Sequence, residues 1–367
     1  MRANPLRLGR SLLAVWRRVT NQSAWENVFF RGDRFFVAFG ALYVRSSRWT
    51  SDIDTTLREH IPRMSRGSAF LRWGIGRPSQ NPAVLIDGLG RFGNSIAQTL
   101  NALEIARKLR SRAVLYHRFD AIQNGTVDLG GDISLERVSP FLIARGRAPR
   151  IVWRTSAMTP AILFCNPCDE SFEEPRVALR DATRVQEFSY ANNRVDHELT
   201  IHVRGGDVFS HNPEEMYGQP PWAFYLRVLE SQPWERVVLV SEDAKNPVVA
   251  LIENWCLQHE IPILNSGDSF PAALHAISKG RYLVSATGTF LPAIAFLAGG
   301  ERVLFQFHVE PSPFVCKKTT SVRVVKDHSE HYVKSVMSHN WENSEIQKSL
   351  MVSYPRDNLS DVIWDEE

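Results

Sequence analysis

The sequence predicts an α/β fold with two doubly wound, Rossmann-like domains built on parallel sheets. Apolar, β-branched runs alternate with helical patterns from about residue 80 onward, which is typical of parallel α/β architecture. The chain has 367 residues, a length that indicates more than one domain. We predict a basic, partly helical extension, an N-terminal α/β domain, a C-terminal α/β domain and a tail, over residues 1–80, 81–195, 196–325 and 326–367 respectively.

The first predicted domain begins with a short apolar strand, Ala83–Ile86, that ends in Asp87 and Gly88. Apolar residues after Gly93 recur at helical spacing, so the glycine-rich turn joins a strand to a helix. An irregular region is expected before residue 148. Further strands are predicted at Ala113–Tyr116, Ile151–Trp153 and Ile162–Phe164.

The second predicted domain is a regular series of strands and helices. Its uncharged window Tyr282–Gly300 is 19 residues long, and it includes Thr287, Gly288 and Pro292. We interpret it as a buried strand, a polar turn and a core helix rather than a membrane span. The strands are predicted at Leu199–Val203, Val237–Val240, Ile261–Leu264, Tyr282–Val284 and Val303–Phe305, and the helices at Trp222–Leu229, Val248–Leu257, about Ala272–Ile277 and from about Pro292.

The charge of the chain disfavours a nucleic-acid partner, because the net charge is only +3. The basic residues concentrate near the N-terminus. Residues 2–18 resemble an amphipathic helix, with Arg2, Arg7 and Arg10 among five arginines that extend to Arg18. Such a helix could contact an anionic membrane, or it could be a solvated terminal helix. No secretory signal is recognised, and a cytoplasmic location is expected.

Four cysteines are too few and too scattered for a disulfide framework, so we interpret them as reduced thiols. Cys165 and Cys168 form a C-x-x-C pair, but no second pair or nearby histidine completes a zinc site. Asp52 and Asp54 form a D-x-D sequence in the N-terminal region. We predict no metal site. The other two cysteines are Cys256 and Cys316.

The turn Gly88–Asn94 has the G-x-G-x-x-G spacing of a dinucleotide-binding loop between a strand and a helix. Backbone amides at the start of such a helix can bind an anion. A dinucleotide-binding loop is usually accompanied by an acidic residue after the next strand, and the sequence has no clear candidate there. A tight turn that needs glycine for its backbone conformation explains the pattern equally well.

A second motif, His202–Asp207, follows the predicted strand Leu199–Val203. An arginine at the carboxyl end of a strand, here Arg204, can present its guanidinium to a phosphate. Asp207 could orient that arginine or act as a base. The alternative is that Arg204 and Asp207 form only a structural ion pair around the turn.

Two further polar motifs also follow predicted strands. Ser285–Thr289 precedes an apolar helix, and its hydroxyls and amides suit a phosphate or ribose or an ordinary helix cap. Ser241–Asp243 offers the Glu242 carboxylate, which could bind a ribose or base or merely start a helix.

Taken in order, these motifs resemble those of the alpha-1,2-fucosyltransferases and, more distantly, the alpha-1,6 and protein O-fucosyltransferases. The resemblance spans residues 83–306. The residues that carry it are Gly90, Arg91, Phe92, Gly93, Asn94 and Gln98, then His202, Arg204, Gly206 and Asp207, then Val240–Asp243, then Ser285, Thr287, Thr289 and Phe290.

The resemblance implies a GT-B fold of two facing α/β domains. It also implies a metal-independent, inverting transfer of fucose from GDP-fucose to a glycan hydroxyl, with no cofactor beyond that donor. By resemblance, Arg204 binds the donor diphosphate. The acceptor proton could be taken by Asp207, His202, Glu242 or His211. The implied donor-site and cleft residues are Gly90, Gly93, Asn94, Arg204, Glu242, Ser285, Thr287 and Thr289.

Three positions depart from the family pattern. Gly205 lies where the family usually has a second arginine, and Ser95 lies where it usually has a glutamine. Leu291 and Pro292 lie where the family usually has an aromatic pair. Other readings therefore stay open. One is a transferase that uses another nucleotide sugar or transfers pyruvate. Another is a GT-B protein that binds nucleotide or glycan without turnover.

Overall fold

A computed structural model describes most of the chain beyond residue 81. It divides into two compact units, of which the second comprises Arg91–Ile96, Asp120–Gln123 and Asn166–Glu367. The longest segment of the second unit starts at Asn166, whereas the sequence placed the start of the second domain near residue 196. The described residues are 82–86, 91–116, 119, 121–122, 125–138, 150–155, 166–185, 196–213, 215–267, 269–308, 312–337 and 340–362.

Several predictions lie outside these residues. They concern the basic helix over residues 2–18, the D-x-D sequence at 52–54, the strand Ile162–Phe164, and the residues Gly90 and Cys165.

The first unit contains a five-stranded sheet whose order is β3-β4-β2-β1-β5. All neighbours are parallel except β3 and β4. Helix α1, Phe92–Leu109, connects β1 to β2. Residues Ala83–Ile86 are completely buried, as expected for a strand in a parallel sheet covered on both faces. The strands are β1 (Pro82–Ile86), β2 (Ala113–Tyr116), β3 (Thr126–Asp128), β4 (Ser134–Arg137) and β5 (Arg150–Thr155).

The second unit contains a six-stranded sheet in which every neighbouring pair is parallel. Its order is β11-β10-β9-β6-β7-β8. Numbered within this sheet, that order is the 3-2-1-4-5-6 arrangement of the Rossmann fold read from the other edge. The predicted α/β class with parallel sheets is confirmed. The strands are β6 (Glu198–Val203), β7 (Arg236–Ser241), β8 (Ile263–Asn265), β9 (Tyr282–Val284), β10 (Arg302–Phe307) and β11 (Thr320–Val325).

Helices and the polypeptide after β11 complete the hydrophobic core of the second unit. Tyr332, Trp341, Met351, Tyr354 and Leu359 are buried against residues of the strands and helices. The predicted tail is thus part of this core. The helices are α2 (Glu173–Ala182), α3 (Trp222–Leu229), α4 (Val248–Gln258), α5 (Phe270–Lys279), α6 (Phe290–Ala298) and α7 (Glu345–Ser353).

The uncharged window between Tyr282 and Gly300 folds as the sequence predicts. It forms strand β9, a polar turn and helix α6, seven of whose nine residues are buried. Across the part of the chain that the structure describes, no helix has both the length and the apolar character needed to cross a bilayer.

The prediction that all four cysteines are reduced thiols is wrong. Cys168 and Cys316 form a disulfide, although 148 positions separate them in the sequence. Folding brings their Cα atoms to 5.3 Å, a proximity that cysteine spacing alone does not reveal. Cys256 is free and buried in the core.

Candidate functional site

Three of the sequence motifs converge at one edge of the second sheet. Arg204 follows β6, Glu242 follows β7 and Ser285 follows β9. Because these strands are parallel, their carboxyl ends share an edge. The order of the sheet reverses between β6 and β9. In open α/β sheets, ligands bind outside the carboxyl ends of the strands at such a reversal.

Arg204 is fixed in place on three sides. Its Nη2 lies 3.3 Å from Asp207 Oδ2, and its Nη1 donates to the carbonyl oxygen of Thr287 over 3.3 Å. The guanidinium carbon lies 3.9 Å from the ring centroid of Tyr217, which is cation–π geometry. Only 14% of the Arg204 side chain is exposed. The cation is therefore oriented before any ligand arrives.

Asp207 bridges two arginines. Its Oδ1 lies 3.1 Å from Nη1 of Arg91, while Arg204 approaches its Oδ2. Arg91 also lies 3.5 Å from Glu242 Oε2. The structural ion pair between Arg204 and Asp207 is thus present. Arg91 belongs to the glycine-turn motif that carries the resemblance, but it was not among the predicted site residues.

The glycine pair after β6 is shaped by Asp243. The N–H of Gly206, whose φ is +61°, donates to Asp243 Oδ2 over 3.2 Å. A Cβ atom on Gly205 would collide with the other carboxylate oxygen of Asp243. Burial alone would raise the pKa of Asp243, but hydrogen bonds from Lys245 and Gly206 lower it overall. Asp243 is therefore ionised. Its carboxylate occupies the space that an arginine side chain at position 205 would need.

His202 is poorly suited to take a proton from a hydroxyl. Its ring lies 5.3 Å from the ring of Phe290. Burial, with the positive charge of Arg204, lowers the pKa of His202 to about 3. A base is most effective when its pKa lies near the working pH. His202 is instead neutral throughout the physiological range. The carboxylates of Asp207 and Glu242 are half-exposed, so an acceptor hydroxyl can reach them.

The hydroxyl groups after β9 all donate their hydrogens within the protein. Ser285 donates to its neighbouring carbonyl over 2.9 Å, and Thr287 donates to the carbonyl oxygen of Gly218 over 2.8 Å. Thr289 donates to Asn94 Oδ1 over 2.7 Å. Towards a ligand these oxygens can therefore offer only acceptor lone pairs.

The start of α1 packs closely on the start of α6, both within the second unit. A Cβ atom on Gly93 would collide with the carbonyl oxygen of Thr289. Phe92 is buried, with its ring centroid 6.1 Å from that of Phe290. Glycine is needed at position 93 for this close approach, which is a structural reason distinct from phosphate contact. Asn94 joins the site through its bond to Thr289.

A cavity of about 190 Å³ opens beside the first turn of α6. It lies entirely within the second unit, at the carboxyl ends of β9 and β10. Its lining includes Thr287, whose carbonyl oxygen accepts a hydrogen bond from Arg204. The lining residues are Pro220, Ser285, Ala286, Thr287, Gly288, Thr289, Gln306, Phe307, Ser312 and Pro313.

The predicted site residues thus divide into two groups. Arg204, Asp207 and Glu242 form one cluster of charges with Arg91, whereas Ser285, Thr287 and Thr289 lie along the cavity. His211 is exposed in the loop after β6. Among the residues with described positions, no group of three or more His, Cys, Asp or Glu side chains could hold a metal ion.

Comparison with known proteins gives a distant structural likeness. No protein-family model matches the sequence, and no curated protein matches it. Among solved structures, the chain is similar to a crystal structure of POFUT1 in complex with GDP, with a TM-score of 0.33 and 12% sequence identity. The likeness covers 61% of this chain and 94% of that chain. At this identity and TM-score it carries no functional conclusion.

Proposed function

We propose that this protein is a glycosyltransferase that binds the diphosphate of a nucleotide sugar through Arg204. One observation carries the proposal: a pre-oriented, largely buried guanidinium lies where the strand order of a Rossmann-type sheet reverses. Planar guanidinium groups match phosphate oxygens and are common in phosphate recognition. Helix α6 begins close to Thr287, whose carbonyl oxygen orients Arg204.

The chemistry of sugar transfer fits these groups. Breaking the bond between the sugar and the phosphate builds negative charge on the leaving diphosphate. A fixed cation and helix-terminal amides stabilise that charge without reorganising during the reaction. We therefore infer a metal-independent mechanism, in which Asp207 or Glu242 takes the proton of the acceptor hydroxyl.

The resemblance of the motifs to the fucosyltransferases supports GDP-fucose as the donor and inverting transfer to a glycan hydroxyl. The GT-B arrangement of two facing domains stays a prediction. The competing readings are another nucleotide sugar, pyruvyl transfer, and binding without turnover. Gly205 is the sequence feature that favours the last of these, since a second arginine is usual in the family.

We also propose that the protein works in an oxidising compartment. Disulfides persist in secreted and periplasmic proteins and are rare in the cytosol. The bond between Cys168 and Cys316 therefore favours such a compartment over the cytoplasm that the sequence predicted. Peripheral contact between residues 2–18 and an anionic membrane stays a proposal. Equal binding to anionic vesicles by a variant lacking residues 1–23 would contradict it.

The donor is identified by thermal unfolding of the full chain with GDP, GDP-fucose, UDP, CMP or phosphoenolpyruvate, without added metal. A ligand at a hundred times its dissociation constant stabilises by about 2.7 kcal/mol, which raises the midpoint by several degrees. We expect GDP and GDP-fucose alone to stabilise. Stabilisation by UDP or CMP alone would indicate a different donor. Stabilisation by phosphoenolpyruvate alone would favour pyruvyl transfer.

The role of Arg204 is tested by calorimetry with GDP. Hydrogen bonds to charged groups contribute about 1.5–3 kcal/mol, so Arg204→Ala should weaken GDP binding by about 10- to 150-fold. Arg236→Ala is the matched control, because Arg236 pairs with Glu198 at the amino edge of the same sheet. A folded Arg204→Ala variant with wild-type affinity would contradict the proposal.

A further inference from the structure

We propose that three residues of the segment after β11 are positioning residues for the loop that orients Arg204. This inference rests on the proposed function, in which Arg204 binds the donor diphosphate. The loop joins β6 to α3 over residues 204–221, and we call it the β6–α3 loop. It carries Asp207 and Tyr217, two side chains that contact the Arg204 guanidinium. The three positioning residues are Tyr332, Trp341 and Asn343.

The β6–α3 loop depends on other elements for its shape. It contains two short 3₁₀ turns, Gly206–Phe209 and Glu215–Tyr217, of four and three residues. Turns of this kind have poor internal hydrogen-bond geometry. Long loops with little secondary structure of their own also tend to populate several conformations. The single arrangement that places Asp207 and Tyr217 against Arg204 therefore needs contacts from outside the loop.

Trp341 holds the turn that carries Asp207. Its indole Nε1 donates to the carbonyl oxygen of Val208 over 2.7 Å, and its side chain is completely buried. Its ring packs edge-to-face on Phe209, with the centroids 5.4 Å apart. Val208 directly follows Asp207, so this bond fixes the backbone from which the Asp207 carboxylate reaches Arg204.

Asn343 and the backbone of Trp341 extend this support along the loop. Asn343 Nδ2 donates to the carbonyl oxygen of Ser210 over 2.9 Å, just after the first turn. The backbone N–H of Trp341 donates to the carbonyl oxygen of Glu215 over 3.2 Å, where the second turn begins. One short stretch of chain beyond β11 thus contacts both turns.

Tyr332 and its neighbours support the part of the loop that follows Tyr217. The buried hydroxyl of Tyr332 donates to the carbonyl oxygen of Gln219 over 2.6 Å. The carbonyl group of Val336, in the π-helical turn Val333–Met337, packs so closely on Gly218 that a Cβ atom there would collide with it. Because Gly218 directly follows Tyr217, these contacts restrict where the Tyr217 ring can lie.

These contacts do more than cover the core. An apolar core requires only apolar side chains, whereas Tyr332, Trp341 and Asn343 each donate a directional hydrogen bond to a carbonyl of the same loop. A site that is already ordered pays less to bind its ligand. Apparent affinity also falls in proportion to the fraction of molecules in the competent conformation. Loss of one of these bonds should therefore weaken diphosphate binding.

The test uses Trp341→Phe, which keeps an aromatic ring and removes the N–H donor. Trp234→Phe is the matched control. Trp234 is only 5% exposed and lies in the same core, and its Nε1 donates to the carbonyl oxygen of Val228 over 3.1 Å. That bond lies at the other end of α3, next to the amino end of β7. GDP affinity is measured by calorimetry, stability by chemical unfolding, and order in the β6–α3 loop by hydrogen-exchange mass spectrometry.

Trp341→Phe should weaken GDP binding by about 2- to 10-fold and speed amide exchange in the β6–α3 loop. Trp234→Phe should lose comparable stability while its GDP affinity and loop exchange stay as in the wild type. In an Arg204→Ala background, Trp341→Phe should have no further effect on GDP affinity, because it acts through Arg204. Should Trp341→Phe fail to fold, Asn343→Gly removes the amide at a position whose φ is +56° and should give the same pattern.

Three results would overturn the inference. One is equal weakening of GDP binding by both tryptophan variants, which would indicate a general effect of lost stability. Another is a folded Trp341→Phe variant with wild-type GDP affinity. The third is the same fold-loss from Trp341→Phe in the Arg204→Ala background. If the wild type does not bind GDP, the proposed function fails, and unchanged loop exchange in Trp341→Phe would then overturn the positioning role separately.

Discussion

Replacing both Cys168 and Cys316 by serine should lower the free energy of unfolding of the second unit by about 2–5 kcal/mol. The two cysteines are 148 positions apart. In the chain-entropy treatment, closing a loop of that length raises the free energy of the unfolded chain by about 5 kcal/mol. Removal of a native disulfide typically lowers the free energy of unfolding by about 2–5 kcal/mol. The bond joins the segment before α2 to the loop after β10, which contributes Ser312 and Pro313 to the cavity.

The assay is thermal unfolding with and without a reductant. For a unit of this size, 2–5 kcal/mol corresponds to a fall in midpoint of roughly 4–20 °C. The wild type should lose this amount on reduction, and the double serine variant should not respond to the reductant. Lys318→Ser is the control, because Lys318 and Glu170 form an exposed ion pair between the same two segments. Such pairs contribute little to stability.

Two results would refute this reasoning. One is a wild-type midpoint that is the same in oxidising and reducing buffer. The other is an unreduced proteolytic digest in which no peptide containing Cys168 is linked to one containing Cys316. Either result would also remove the argument for an oxidising compartment.

Two further substitutions test the packing and the electrostatics of the site. Gly93→Ala should lower the unfolding midpoint although alanine favours helices, because its Cβ would collide with the Thr289 carbonyl; an unchanged or higher midpoint would contradict the close approach. His202→Asn should reduce the loss of stability between pH 7.5 and pH 5. The unfolded chain takes up a proton on His202 below about pH 6.5, whereas burial and Arg204 lower the pKa of the folded state to about 3. The wild type therefore loses stability as the pH is lowered from 7.5 to 5. Identical pH dependence in chemical unfolding of both proteins would refute this account.

The buried strands were predictable from the sequence because they are rich in apolar residues. Strands β7 and β9 contain continuous apolar runs, whereas apolar residues alternate with Thr200 and His202 in β6. All three lie in the interior of the sheet, and the sequence located each within a residue or two. Strands β3 and β4 were missed. They form a hairpin of three and four residues with polar side chains, so neither an apolar run nor a clear alternation marks them.

The candidate site was predictable in its main residue but not in its partners. Arg204 stands out because it follows a strand and precedes two glycines. The contacts of Arg204 with Tyr217 and Thr287, and those of Asp207 with Arg91, join residues far apart in the sequence. Such contacts depend on tertiary packing, which residue spacing does not encode. For the same reason, the spacing of the cysteines did not predict the disulfide.

The buried residues beyond β11 determine when the second unit can fold during synthesis. All six strands have been translated once Val325 is complete, yet Tyr332, Trp341 and Leu359 still have to fill the core. A ribosome-bound chain that ends at β11 would expose the apolar surface that these side chains cover. The core of this unit is therefore expected to be completed only after Leu359 has emerged from the ribosome.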